Sequence, residues 1–191
     1  MDQKKYKQKL LEEIYTQYKN CQRCPLAQAE RNNIVFGDGN PDADLMLIGE
    51  GPGRNEDLQG KPFVGRAGKL LDELLESANL KRGDIFIGNI VKCRPPNNRL
   101  PLPNEIAECL PLLEKQIKII RPKVICTLGS CSTRTLLGND KKITQSRGKL
   151  FKWNNIVTIP TFHPAYILRN PKKMPDLFED LRLAAQNIKN K

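Results

Sequence analysis

The pattern of hydrophobic and polar positions divides the chain into segments, some with the spacing of helices and others with the short apolar runs of strands. Residues 3–19 and 67–79 place apolar side chains at helical spacing opposite a charged face, and Pro103–Ile120 and 174–189 predict two more helices. Short apolar runs bounded by glycine, proline or asparagine predict the strands, which are Leu45–Gly49, 84–91, 123–128 and 156–159, with a short arm at 149–153.

Strands that alternate with helices predict an α/β fold, a three-layer α/β/α sandwich around a central, mainly parallel four-stranded sheet. No repeat or low-complexity linker interrupts the pattern, so we expect a single domain over 1–191 with the helix at 3–19 packed on it. Ligands of such sheets bind at the carboxyl ends of the strands. The segments 49–53, 89–94 and 163–164 all follow strands and should therefore converge.

Composition narrows the classes of protein. The 191 residues are 39% hydrophobic and 28% charged, as in ordinary globular domains. No apolar run approaches the roughly 18 residues of a membrane span, and no apolar segment follows the first five residues, so we expect a cytoplasmic protein with no membrane partner. The net charge of +11 favours a polyanionic partner.

Four of the six cysteines have spacing that suits one metal centre. Cys21 and Cys24 form a CxxC pair, Cys93 follows a predicted strand, and Cys109 lies 16 residues later. Four thiolates suit Zn²⁺ or an iron–sulfur cluster, and the wide second pair favours the cluster. A redox CxxC, which normally opens a helix after a strand, and buried free thiols are the alternatives. The two other cysteines, Cys126 and Cys131, are expected to be structural.

A glycine-rich turn follows the first predicted strand. Gly49-Glu50-Gly51-Pro52-Gly53 matches neither a dinucleotide fingerprint nor a phosphate-binding P-loop. The turn places the carboxylate of Glu50 where the backbone can approach a ligand closely. Farther along, Phe63 lies between turn-forming residues, where it either packs in the core or stacks on a planar base. His163 is the only histidine, so histidine chemistry must use it.

Four separated motifs carry a resemblance to a known family. They are Gly49-Glu50-Gly51-Pro52-Gly53, Gly60-Lys61-Pro62-Phe63-Val64-Gly65, Asn89-Ile90-Val91-Lys92-Cys93-Arg94-Pro95-Pro96 and His163-Pro164-Ala165-Tyr166-Ile167-Leu168-Arg169. In this order, and with this cysteine spacing, they resemble the family 4 uracil-DNA glycosylases, bacterial and archaeal enzymes that hold a [4Fe-4S] cluster. The resemblance implies a monofunctional glycosylase that hydrolyses the N-glycosidic bond of a flipped uracil and leaves an abasic site for base excision repair.

The resemblance also implies roles for single residues. Cys21, Cys24, Cys93 and Cys109 would ligate the cluster. Gly49, Glu50 and Gly51 would line the uracil pocket, Phe63 would stack on the base, and Asn89 would recognise its edge. His163 would face uracil O2 and stabilise the developing anion, while Glu50 would orient the attacking water, stabilise the sugar cation or only organise the pocket.

Basic residues near the motifs predict a phosphate-binding track. They are Lys61, Arg66, Lys69, Lys92, Arg94, Arg99, Arg147, Lys149, Arg169, Lys172 and Lys173. The expected partner is uracil-containing DNA, single- or double-stranded, and the further expectations are a monomer and contact with a sliding clamp.

Three other functions remain open at this point. One is a non-catalytic nucleic-acid-binding protein with a structural metal, which an intact set of Glu50, Asn89 and His163 disfavours. A second is a glycosylase that accepts a wider range of deaminated bases. The third is an iron–sulfur electron carrier, for which the sequence specifies no redox partner. A related covalent mechanism needs a second histidine, which this chain lacks.

Overall fold

A mixed six-stranded sheet forms the centre of the computed structural model, which describes residues 2–29 and 31–189. The two ends of the predicted 1–191 domain, Met1 and 190–191, therefore lie outside the described residues, as does Glu30. The strands are β1 Asp38–Gly39, β2 Leu45–Gly49, β3 Phe86–Asn89, β4 Val124–Leu128, β5 Phe151–Trp153 and β6 Ile156–Thr161. Their order across the sheet is β1-β3-β2-β4-β6-β5.

The four inner strands, β3, β2, β4 and β6, are parallel, which confirms the predicted parallel core. The two edge strands run antiparallel to their neighbours and extend the sheet beyond the four predicted strands. Sequence patterning missed β1 because its two residues are exposed and too few to alternate. The predicted arm at 149–153 contains β5, which forms a hairpin with β6.

Eight α-helices connect and cover the strands within the described residues. They are α1 Gln3–Tyr18, α2 Arg54–Gln59, α3 Arg66–Ser77, α4 Pro103–Ile120, α5 Ser130–Leu137, α6 Ile143–Ser146, α7 Pro164–Arg169 and α8 Met174–Lys189. None of them is long and apolar enough to cross a membrane. The predicted helices at 3–19, 67–79, Pro103–Ile120 and 174–189 correspond to α1, α3, α4 and α8.

Alternating side chains of the inner strands divide the apolar core into two layers. Leu45 and Leu47 of β2 face a cluster with α3, α7 and α8, whereas Met46 and Ile48 face a cluster with α1, α4 and α5. Strands buried on both faces are typical of parallel sheets with helices on each side. This arrangement is the predicted α/β/α sandwich, and it aligns the ends of β2, β3 and β6 at one edge.

Candidate active site and cysteine cavity

The ends of β2 and β3 place the glycine-rich turn beside Asn89. Gly49 pairs with Asn89 in the parallel ladder, and the N–H groups of Ile90 and Val91 donate to the carbonyls of Gly49 and Glu50. A cavity of about 500 Å³ opens there. Its walls include five of the predicted site residues, namely Glu50, Gly51, Phe63, Asn89 and His163. The three segments that were expected to converge do so.

Gly49 forms the floor between two of these side chains. A Cβ atom at Gly49 would lie 2.4 Å from Oδ1 of Asn89 and 2.8 Å from Cζ of Phe63, closer than any real contact. The close approach explains why glycine is needed at this turn. It also shows that the Phe63 ring and the Asn89 amide meet at the same point.

Asn89 carries an unsatisfied acceptor. The residue is 2% exposed, and Oδ1 has no hydrogen-bond partner among residues 2–29 and 31–189. An unpaired buried acceptor costs about 1–3 kcal/mol, so native structures keep few of them. Asn89 lines the cavity, so the donor that its amide lacks is one that a bound ligand can supply.

His163 follows β6 by two residues and lines the same cavity as Asn89. Its ring centroid is 5.5 Å from that of Phe63, with the two planes tilted by 31°. Nδ1 accepts a hydrogen bond from the N–H of Ala165 at 3.1 Å and caps α7. Burial and the nearby Arg169 charge lower the pKa of His163 to about 4. The imidazole is therefore neutral at pH 7.

Two carboxylates line the cavity and have different surroundings. Burial raises the pKa of Glu50, which lies on the turn after β2. Glu56 on α2 instead uses Oε1 to accept the N–H groups of Val64 and Gly65, at 3.0 and 2.9 Å. Glu56 thus holds the backbone that follows Phe63, while the Glu50 carboxylate faces the cavity.

The four predicted ligand cysteines line a second cavity. Cys21 and Cys24 reach it from the segment after α1, Cys93 from the end of β3, and Cys109 from α4. Within the described part of the chain, no three His, Cys, Asp or Glu side chains converge to hold a single metal ion. The four thiols therefore surround the cavity without meeting at one point.

Three cations border the same cavity within the described residues, namely Arg23, Arg31 and Lys92. Arg31 donates from Nη1 to Sγ of Cys93 at 2.9 Å and from Nη2 to the carbonyl of Cys21 at 2.8 Å. Lys92 is 1% exposed, and its Nζ donates to Oε1 of Gln116 at 2.7 Å. Burial lowers the pKa of Lys92 to about 8 and raises that of the Cys109 thiol to about 11.

The other two cysteines lie away from this cavity. Cys126 is fully buried in β4, where burial raises the pKa of its thiol. Cys131 lies on the first turn of α5, and burial raises its pKa to about 12. Neither thiol is activated as a nucleophile.

Four of the eleven residues in the predicted phosphate track, Lys92, Arg99, Arg147 and Lys173, are buried or paired with a carboxylate. Lys92 is buried, so its assignment to a DNA-facing surface was wrong. Arg99 pairs with the buried carboxylate of Glu105 at 2.6 Å, and Arg147 pairs with Asp180. Arg99 and Arg169 both line the cavity, and Lys172 lies in the 3₁₀ turn Pro171–Lys173 that follows α7.

Sequence reasoning did not single out Glu56, Arg31 or Arg82. Arg82, in the 3₁₀ turn Arg82–Asp84, donates to the carbonyls of Pro62 and Phe63. Glu56 lies on α2, three residues after the glycine-rich turn, and this position was its signal in the sequence. Arg31 and Arg82 lie outside every motif, and only the fold brings them to Cys93 and Phe63.

Comparison with known proteins agrees with this geometry. The model of the uracil DNA glycosylase superfamily matches residues 36–185. A type-4 uracil-DNA glycosylase of Thermotoga maritima is 47% identical over 166 residues, which cover 86% of each chain. Its namesakes from Sulfurisphaera tokodaii and Saccharolobus solfataricus are each 46% identical. Those alignments cover 90% and 95% of this chain and 82% and 88% of the relatives.

The family model spans most of the sheet and both walls of the cavity, and the three relatives match nearly the whole chain. The resemblance that the four motifs carry is therefore confirmed. The chain belongs to the uracil DNA glycosylase superfamily and, within it, to the type-4 uracil-DNA glycosylases.

Proposed function

We propose that the cavity at the ends of β2 and β3 binds a flipped uracil and that the chain hydrolyses its N-glycosidic bond in DNA. The observation that carries this proposal is the buried, unpartnered Oδ1 of Asn89, a residue that lines the cavity together with Phe63 and His163. The reaction breaks the bond between C1′ and N1. Water then supplies a hydroxyl to the sugar and a proton to the base.

The amide of Asn89 distinguishes uracil from cytosine. Its Oδ1 accepts from N3–H of uracil, and its Nδ2 donates to O4. Cytosine presents a lone pair at N3 and an amino donor at C4, so both contacts become repulsive. A site that leaves buried polar groups unpaired against the wrong base rejects it strongly.

His163 stabilises the leaving base as a neutral donor. Because Nδ1 accepts the Ala165 N–H, the ring proton is assigned to Nε2. This N–H is then available to uracil O2, where negative charge develops as the bond breaks. A preorganised donor of this kind is worth about 10²–10³ in rate.

Glu50 serves the sugar side of the reaction. Glu56 already holds the backbone of Val64 and Gly65, so Glu50 is the carboxylate of the cavity left to act on substrate. It orients the attacking water or stabilises the oxocarbenium-like sugar. Burial raises the pKa of Glu50, which makes its carboxylate a stronger base toward the attacking water.

DNA reaches the cavity with its target nucleotide out of the stack. Extrusion of the nucleotide costs a few kcal/mol of free energy. Stacking of Phe63 on the extruded base offsets part of that cost. Arg169 lines the cavity and Lys172 follows three residues later, and we assign both to the phosphates that flank the flipped nucleotide. The basic net charge adds a sequence-independent attraction that weakens with salt.

The second cavity is proposed to hold a [4Fe-4S] cluster on Cys21, Cys24, Cys93 and Cys109. In a cubane cluster each thiolate binds a different iron, so ligands that surround a cavity without meeting at one point suit a cluster better than Zn²⁺. The cluster would join the segment after α1 to β3 and α4. Glycosidic hydrolysis transfers no electron, so the group would supply stability here.

Lys92 and Arg31 support this ligand set. A lysine that is 1% exposed needs a compensating negative charge, and within residues 2–29 and 31–189 no carboxylate lies within ion-pair distance of its Nζ. Four thiolates supply negative charge at the cavity that Lys92 lines. Arg31 points at Cys93 for the same reason.

Release of free uracil from an oligonucleotide with a single uracil tests the glycosylase. Matched strands with thymine or cytosine at that position are the controls, and alkaline cleavage reports the abasic site. We expect release from the uracil strand alone, and its near-complete loss in Asn89→Ala. No release by a folded, iron-loaded protein that still binds DNA would reduce the function to nucleic-acid binding.

A further inference from the structure

Phe63 has an unusual backbone conformation. Its φ is +51°, in the left-handed region that side chains other than glycine, asparagine and aspartate seldom occupy. Such a conformation persists only where the surrounding structure enforces it, and it is concentrated at functional sites. The residue that faces the base is therefore held under strain.

Contacts on both sides of Phe63 enforce that conformation. After Phe63, the N–H groups of Val64 and Gly65 donate to Glu56. At and before it, Arg82 donates from Nη2 to the carbonyl of Pro62 at 2.6 Å and from Nη1 to the carbonyl of Phe63 at 3.3 Å. The guanidinium of Arg82 thus donates hydrogen bonds to two successive backbone carbonyls.

Residues of α3 support these hydrogen bonds between Arg82 and the turn. Nη1 of Arg82 also donates to Oδ1 of Asp72 at 2.7 Å, which orients the guanidinium. A Cβ atom at Gly68 would lie 1.9 Å from the carbonyl oxygen of Phe63, so only glycine lets the helix approach this closely. Asp72 and Gly68 both belong to α3, so this helix supports the turn that contains Phe63.

We propose that Arg82, oriented by Asp72, is a positioning residue that holds the Phe63 ring in place for the uracil base. This inference rests on the proposed stacking role of Phe63. Arg82 acts through the carbonyls of the turn rather than on substrate. When the Arg82 hydrogen bonds to these carbonyls are lost, the backbone relaxes from the left-handed region. The ring then leaves its place above Gly49 and opposite His163.

A double-mutant cycle on free uracil tests the proposal. The inhibition constant of uracil is measured for the wild type, Arg82→Met, Phe63→Ala and the double variant, because uracil is uncharged and insensitive to lost phosphate contacts. We expect Phe63→Ala to raise the constant about tenfold or more and Arg82→Met about fivefold. In the Phe63→Ala background, Arg82→Met should change nothing further.

Three further variants make the cycle decisive. Lys81→Met removes an exposed neighbouring charge and should leave the constant unchanged. Arg82→Lys should recover part of the loss. Asp72→Asn is a milder change, which covers the case that Arg82→Met does not fold, and should raise the constant only while Phe63 is present.

The outcomes separate the two ideas. Equal effects of Arg82→Met with and without Phe63, or no effect in either background, would overturn the positioning role. If Phe63→Ala itself leaves the inhibition constant unchanged, the stacking role fails and the inference fails with it. Absence of uracil release by the wild type would instead contradict the proposed glycosylase.

Discussion

Nδ1 of His163 accepts a hydrogen bond from the backbone N–H of Ala165, at 3.1 Å. The bond caps a short helix and at the same time determines which ring nitrogen keeps its proton. It combines with burial, which lowers the pKa of His163 to about 4. The side chain that we propose as the donor to the leaving base is thereby a neutral imidazole at pH 7.

The lone histidine can be observed directly. In a tag-free protein, its Hε1 proton resonance should stay constant from pH 8 to about 5 and shift near pH 4. The same chain unfolded in urea should titrate near 6.5, the ordinary value. Since the pKa is lower in the folded state, unfolding takes up a proton between these values, and stability should fall as pH falls through that window. A native titration near 6.5 would contradict a neutral donor.

Asn89 should control the choice of base. Asn89→Asp removes the Nδ2 donor to O4 and should reduce the preference for uracil over cytosine, while Asn89→Ala should slow uracil release about 10²-fold or more. Single-turnover release from matched uracil and cytosine strands measures both effects. Asn187→Ala, an amide change on α8 outside the cavity lining, is the control. Unchanged rates would remove Asn89 from base recognition.

Removing one cluster ligand should cost iron and stability together. We expect Cys93→Ala to lose most of its iron and to melt at a lower temperature, because three segments lose their common tie. Iron content and the thermal midpoint measure this. Cys131→Ala is the matched cysteine change outside the cavity and should keep its iron. Four irons retained by Cys93→Ala would refute the ligand set.

Lys92 should tune the cluster without ligating it. Lys92→Met keeps the length of the side chain but removes the buried charge, so the reduced and more negative cluster loses stabilisation. We expect four irons to remain and the reduction potential, measured by voltammetry of the immobilised protein, to fall. Lys115→Met removes an exposed cation of α4 and should not move the potential. An unchanged potential in Lys92→Met would show that the lysine does not sense the cluster.

Arg169 and Lys172 should contribute to DNA affinity through charge alone. Replacing both by glutamine should reduce the slope of log affinity against log salt by about 1.5, since each phosphate contact contributes about 0.7–0.9. Fluorescence anisotropy with an oligonucleotide lacking uracil measures the slope without turnover. Arg182→Gln, an exposed cation of α8 outside the cavity lining, serves as the control. Equal salt slopes for the two variants would show that Arg169 and Lys172 do not contact the DNA phosphates.

Much of the architecture was predictable because its signals are local. The strand Leu45–Gly49 and the helix Pro103–Ile120 match the predicted bounds, since glycine ends the first and proline begins the second. Convergence of the cavity residues also followed from the sequence, because the carboxyl ends of parallel strands meet at one edge. Pairing order across the sheet, by contrast, is a tertiary property.

The missing parts depend on contacts between distant segments. Arg82 is 19 residues from Phe63, and Arg31 is 62 residues from Cys93, so no periodicity relates either pair. Lys92 illustrates the opposite failure. Its motif suggested a surface cation, yet the segment that follows β3 is buried and places the Lys92 side chain at the cysteine cavity, with Nζ donating to Gln116. Charge type alone does not reveal which side of a strand end faces solvent.

Both edge strands of the central sheet are very short. The edge strands β1 and β5 have only two and three residues. Each is antiparallel to the strand beside it, β3 and β6 respectively. A foreign strand finds almost no ladder of free N–H and C=O groups to extend at either side. Brevity at the edges thus protects the molecule from sheet-to-sheet growth at the concentrations that titration and voltammetry need.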